Sequence, residues 1–166
     1  MNRRWLALAT SVGIFGVDRW TKWLIESRFD FFDTTAVIPG FFNLVRSENP
    51  GVAFGIFSDT VSHNRTLALV SVSLIALVVM ASLLWKIDKQ DRHSAAGISL
   101  IFGGALGNVF DRVRFGRVTD FVDLYVGSYH WYVFNLADAA ICIGAGFLIL
   151  SIILGDKATK QSEAGA

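Results

Sequence analysis

The sequence predicts an α-helical polytopic membrane protein: four transmembrane helices carrying a small β-rich extracytoplasmic subdomain, all in one membrane-embedded unit spanning residues 1–166. Three observations predict it. Hydrophobic residues make up 53% of the chain and charged residues only 17%, with a mean hydropathy of +0.49, too little polar surface for a soluble domain of this size. Four stretches approach the ~20 mostly apolar residues that cross a bilayer. The two longest segments between them hold apolar runs broken by Gly and Pro, the pattern of short strands and turns.

The first span, about residues 5–25, is marred near its far end by Asp18, Arg19 and Lys22. Its start, MNRRWLALATSVGIFG, imitates a secretory signal peptide. The apolar run continues through Trp20, Trp23, Leu24 and Ile25, so a retained helix is expected. The second span, about 66–85, carries no charge. The third, about 94–112, is Gly-rich, and Gly103 with Gly107 forms a GxxxG pattern that permits close helix approach. The fourth, about 134–154, is apolar apart from Asp138. The tail, 156–166, is polar and expected to be disordered.

Between the spans lie expected outer loops at 26–65 and 113–133. The first is broken at Pro39-Gly40 and Asn49-Pro50-Gly51; the second has VTDFVDLYV and YHWYVF on either side of Gly127-Ser128, a hairpin pattern. Strands from both loops are expected to pair. Arg3, Arg4, Lys86, Lys89, Arg92, Lys157 and Lys160 fall on one side, seven of the 15 basic residues. The count alone does not orient the chain. The short basic loop at 86–93 and the arginines before the first span favour both termini in the cytoplasm.

A formal net charge of +1 leaves no footprint for nucleic acid. The single cysteine, Cys142, excludes an internal disulfide and is expected to be a buried small apolar residue. His63, His93 and His130 are scattered, so no metal site is expected. Nucleophile-elbow and Walker-type motifs are absent.

Three polar constellations remain. Asp18 and Lys22 have the spacing of an i,i+4 ion pair at the interface, a structural role. Asn108, Asp111 and Arg112 share the end of the third span, where a structural network is the first reading and binding of a phosphate or carbonyl by Arg112 the alternative. Asp120, Asp123, Asn135 and Asp138 form the third. A carboxylate at membrane depth costs several kcal/mol and marks function. In an extended segment Asp120 and Asp123 point to opposite faces, so only one of them can approach Asp138. Two close carboxylates cannot both ionise; one stays protonated while the other serves as base. On these residues alone, an aspartyl hydrolase and a proton-coupled carrier are equally compatible, and a non-catalytic lipid- or peptide-binding membrane protein is a third reading.

DRWTK, ENPGVAFG, GGALGNVFDR, VTDFVD and FNLADAAI, in this order and at these spacings, resemble the bacterial lipoprotein signal peptidases (signal peptidase II) over about residues 5–155. The resemblance implies an aspartyl dyad at Asp120 and Asp138, leaving Asp123 outside it. It also implies supporting roles for Asn49, Gly51, Ala53, Phe54, Gly104, Asn108, Arg112 and Asn135, with Asp18 and Lys22 holding the fold together. The implied substrates are diacylglyceryl-modified prolipoproteins, cleaved before the lipidated cysteine in the bacterial cytoplasmic membrane near its outer leaflet. No cofactor is implied; membrane lipids are the other expected partners, and a monomer is expected.

Overall fold

The fold was analysed in a computed structural model that describes residues 3–51, 63–86 and 91–164, with backbone only for 3, 63–66 and 155–164. Its elements run α1 (Arg3–Arg28), β1 (Thr34–Ile38), β2 (Phe42–Asn49), α2 (His63–Lys86), α3 (Arg92–Phe115), β3 (Val118–Val126), β4 (Tyr129–His130) and α4 (Leu136–Ala164). Among the described residues, three helical stretches are long and apolar enough to cross a membrane: Leu67–Lys86, Arg92–Phe115 and Leu136–Leu154. α1 is not among them because its second half is charged. Its burial pattern explains those charges: Ala7, Ser11, Asp18, Lys22 and Ile25 face inward, while Trp5, Leu6, Val12, Val17, Trp20 and Trp23 are exposed. A helix with its polar residues inside and its apolar face outside suits lipid surroundings rather than water.

α3 is the central helix, packed against α1, α2 and α4. Its glycines make this possible. A Cβ on Gly103 would lie 2.6 Å from the Ser11 carbonyl oxygen of α1, and one on Gly104 would strike the Ala137 carbonyl of α4. The GxxxG surface is thus used within one chain. Asp91 caps the start of α3 by accepting the Ser94 N–H (2.9 Å), and Gly116, at φ +71°, ends it by donating to Arg112 O. α4 continues to Ala164 rather than giving way to the disordered tail expected from residue 156. Lys, Ala, Gln and Glu in that stretch are good helix formers. Cys142 is exposed, correcting the expectation that it is buried: it falls on the outer face of α4, beside Ile143.

Strands from the two loops form one antiparallel sheet in the order β1-β2-β3-β4. Gly40, at φ +82°, turns β1 into β2. The β2–β3 register matters most for the site. Asn43 pairs with Asp123 and Leu44 with Val122, but Ser47 pairs with Asp120 and Asn49 with Val118. An extra residue in β2 between Leu44 and Ser47 therefore shifts the side-chain alternation by one. Asn43 shares a face with Asp123, whereas Asn49 is turned to the face of Val118 and Asp120. A bulge that re-aims a side chain in this way is a recurrent device at functional sites.

Candidate active site

Asp120 and Asp138 come from different elements and are joined by Asn135. The β-bridge between Val122 and Phe134 sets the chain entering α4 beside β3, which brings Asn135 to Asp120. Asn135 is fully buried and precedes the first residue of α4. Its side-chain oxygen accepts the Asp138 backbone N–H (3.0 Å), and the Asp138 carboxylate accepts the Asn135 backbone N–H (3.3 Å). This is a reciprocal capping box built from Asn and Asp. Because the Asn135 oxygen is committed to a backbone donor, its NH2 group must point the other way. It donates to Asp120 Oδ1 at 2.6 Å and to Asn108 Oδ1 at 3.3 Å.

Each carboxylate has further amide donors. Asn49 Nδ2 donates to Asp120 Oδ2 (3.2 Å), the contact that the β2 bulge permits. Asn108 Nδ2 donates to Asp138 Oδ1 (2.8 Å). The Arg112 guanidinium lies within electrostatic reach of Asp138, Asp120 and Asp111. One of its N–H groups meets Asn108 O at 3.3 Å, while its buried Nε has no hydrogen-bond partner among the described residues. Burial, and next the neighbouring Asp138 carboxylate, push the Asp120 carboxyl up to about 6.

A buried ionic network supports this pair from behind. Lys22 Nζ lies 2.8 Å from Asp18 Oδ2 and 2.7 Å from Asp111 Oδ2. Asp18 Oδ1 also accepts the backbone N–H of Ala137 (3.0 Å), satisfying a second donor in the first turn of α4. Arg19 pairs with Asp111 at 2.6 Å and with Glu26 at 3.6 Å, and Thr119 of β3 donates to Glu26 at 2.7 Å. Asp18 and Lys22 are therefore a fully buried tie between α1, α3 and α4, not the interface pair that their spacing suggests. The close approach allowed by the α3 glycines covers them.

Among the sequence-predicted residues, Asn49, Asn108, Arg112 and Asn135 converge on the two aspartates. Gly51, at φ +96°, donates its N–H to Asn49 Oδ1 (2.8 Å) and so helps hold that side chain. Gly104 lies against the Ala137 carbonyl and acts through packing. Ala53 and Phe54 lie outside the described residues. Asp123 is buried on the opposite face of β3, where Asn43 donates to it (2.9 Å) and His130 Nδ1 lies 2.9 Å away. The Arg19–Asp111 and Glu26–Thr119 links were not expected from the sequence, because their partners stand 92 and 93 residues apart.

Comparisons with known proteins find relatives over most of the chain. The family model described as signal peptidase (SPase) II matches residues 10–154. A lipoprotein signal peptidase from Solibacter usitatus is 51% identical over 150 residues, covering 90% of this chain and 92% of that protein. One from Syntrophus aciditrophicus is 40% identical over 152 residues, covering 92% and 94% respectively. A solved bacterial membrane enzyme superposes with a TM-score of 0.81 at 31% identity, covering 93% of this chain and 91% of its own. With the matched model extending over α1, the sheet and most of α4, the chain belongs to the signal peptidase II family.

Proposed function

We propose that this protein is an intramembrane aspartyl endopeptidase that removes the signal peptide from diacylglyceryl-modified prolipoproteins, cutting before the lipidated cysteine. The observation that carries the reading is the Asn135 bridge. One side chain, fixed at the cap of α4, donates to the Asp120 carboxylate and accepts the Asp138 backbone N–H, so it ties the two residues together.

In this mechanism Asp138 is the general base. It sits in the first turn of α4, where the helix dipole favours negative charge, and it takes the proton from the attacking water. Asp120 holds the shared proton, in keeping with its raised proton affinity. It hydrogen-bonds the scissile carbonyl as water adds, then donates its proton to the departing amine. Asn108 and Asn135 keep the carboxylates aimed. The Arg112 Nε, without a hydrogen-bond partner among the described residues, is a donor available to a substrate carbonyl.

The setting follows from the substrate. A helix bearing two acyl chains must reach the site laterally from lipid, while hydrolysis needs water, and both are at hand at a membrane surface. The proposed topology has α1 as a fourth span, both termini in the cytoplasm, and the sheet and dyad near the outer leaflet of the bacterial cytoplasmic membrane. The apolar outward face of α1 supports the fourth span. The reading is tested by incubating purified protein in lipid nanodiscs with a diacylglyceryl-modified precursor and its unmodified form. Release of signal peptide from the modified precursor is expected; binding without release would make the site a binding site only.

A further inference from the structure

Lys22 is the one fully buried cation of the molecule among the described residues, and a single side chain separates it from Asp138. Three oxygens surround its Nζ: Asp18 Oδ2 at 2.8 Å, Asp111 Oδ2 at 2.7 Å and Asn108 Oδ1 at 3.1 Å. An ammonium has three protons to give and no lone pair to receive one. Asn108 is therefore obliged to turn its oxygen toward Lys22. That leaves its NH2 group for Asp138 Oδ1, 2.8 Å away. The flipped amide would set NH2 against an ammonium and oxygen against a carboxylate, a loss at both ends.

Stability alone is a weak reason to keep such a group. A buried ion pair can often be replaced by apolar residues of similar volume without loss. What an apolar residue at position 22 cannot do is dictate the direction of the Asn108 amide or place a positive charge behind the dyad.

We propose that Lys22 is a positioning residue for the aspartate pair: through Asn108 it fixes the hydrogen bond that Asp138 receives, and its charge sets the pH range in which the pair holds a single proton. This rests on the reading of Asp120 and Asp138 as the catalytic pair. The charged groups facing Lys22 are Asp18 from α1 and Asp111 from α3, the latter shared with Arg19. Beyond Asn108 stand Asp138 of α4, Asp120 of β3 and Arg112 of α3. The Lys22 charge acts on Asp120 in the opposite sense to Asp138, lowering its proton affinity. Loss of that charge moves both limbs of the pH–rate profile to higher pH.

The test is the pH dependence of kcat and kcat/KM for cleavage of a diacylglyceryl-modified precursor, in Asp111→Asn and in the charge-balanced double variant Asp111→Asn/Lys22→Met. Relative to Asp111→Asn, the double variant is expected to shift both limbs upward by about half to one pH unit. Its kcat is expected to fall about tenfold, within the coupling range of residues sharing one hydrogen-bond network, with KM little changed. Coincident limbs with equal kcat, or a lower melting temperature without a limb shift, would reduce Lys22 to a packing role and overturn the proposal. If the double variant does not accumulate, Lys22→Arg keeps the charge but not the three-oxygen fit. It is expected to leave the limbs in place and lower kcat, and wild-type kcat in that variant overturns the proposal. Wild type and Asp138→Asn run alongside: cleavage by the first and none by the second upholds the dyad whatever Lys22 does.

Discussion

Asn135 and Asp138 cap the same helix end in both directions, each side chain accepting the other's backbone N–H. Asp138 is thus part of the frame as well as part of the site, and its two roles separate by substitution. Asp138→Asn keeps a side-chain oxygen for the Asn135 N–H, so it is expected to remain folded and to lose cleavage. Asp138→Ala removes the cap as well, at a further cost of about 1 kcal/mol in stability. Thermal unfolding of both variants in detergent, beside the cleavage assay, makes the comparison.

Asp120 carries a pH signature. Its folded-state value is raised from 3.8 to about 6, so the folded protein binds more protons than the unfolded chain between those limits. Stability from this group is complete below pH 3.8 and is lost as pH rises through about 6. The difference corresponds to about 3 kcal/mol at roughly 1.4 kcal/mol per pH unit. Asp120→Asn does not titrate. The melting temperature of the variant relative to wild type is therefore expected to improve by several degrees between pH 4 and pH 7.5, while cleavage is lost at every pH. A constant offset across that range would contradict the raised value.

Asp123 supplies the contrast. It is buried and hydrogen-bonded, but to Asn43 and His130 on the far face of β3. Asp123→Asn is expected to retain substantial activity, and cleavage rates comparable with those of Asp138→Asn would show that the wrong face had been chosen.

The glycines of α3 differ measurably from those of α1. A Cβ at Gly104 would collide with the Ala137 carbonyl, one residue before Asp138, whereas Gly13 and Gly16 have open space around them. Gly104→Ala is expected to lower both melting temperature and activity. Gly13→Ala and Gly16→Ala are expected to be neutral or to stabilise by up to about 1 kcal/mol through helix propensity. Equal melting temperatures for Gly104→Ala and Gly16→Ala would contradict the tight α3–α4 contact.

In the proposed mechanism the aspartates alone activate water. Cleavage is expected to survive exhaustive chelation at the wild-type rate. Loss on chelation with recovery on adding a divalent cation would require a different mechanism.

Much of this was legible in the sequence because its signals are local. The apolar runs gave α2, α3 and α4 within a few residues at their starts, and the turn residues around Pro39-Gly40 and Gly127-Ser128 gave the strand pairs. Period-two alternation separated Asp120 from Asp123, and their partners in the structure lie on opposite faces. The β2 bulge was not legible, since nothing in LVRSEN marks the extra residue, yet it decides that Asn49 reaches Asp120. Nor did the spacing of Asp18 and Lys22 reveal their burial. Their partners Asp111, Asn108 and Ala137 arrive from 86 or more residues away, through helix packing that no local pattern records.

The most direct test of the central claim compares wild type, Asp120→Asn and Asp138→Asn, each purified and shown to be folded, on one diacylglyceryl-modified prolipoprotein. Wild type is expected to release the signal peptide, and both variants are expected to release none over many wild-type half-times. Full activity in either single variant would contradict the aspartyl dyad.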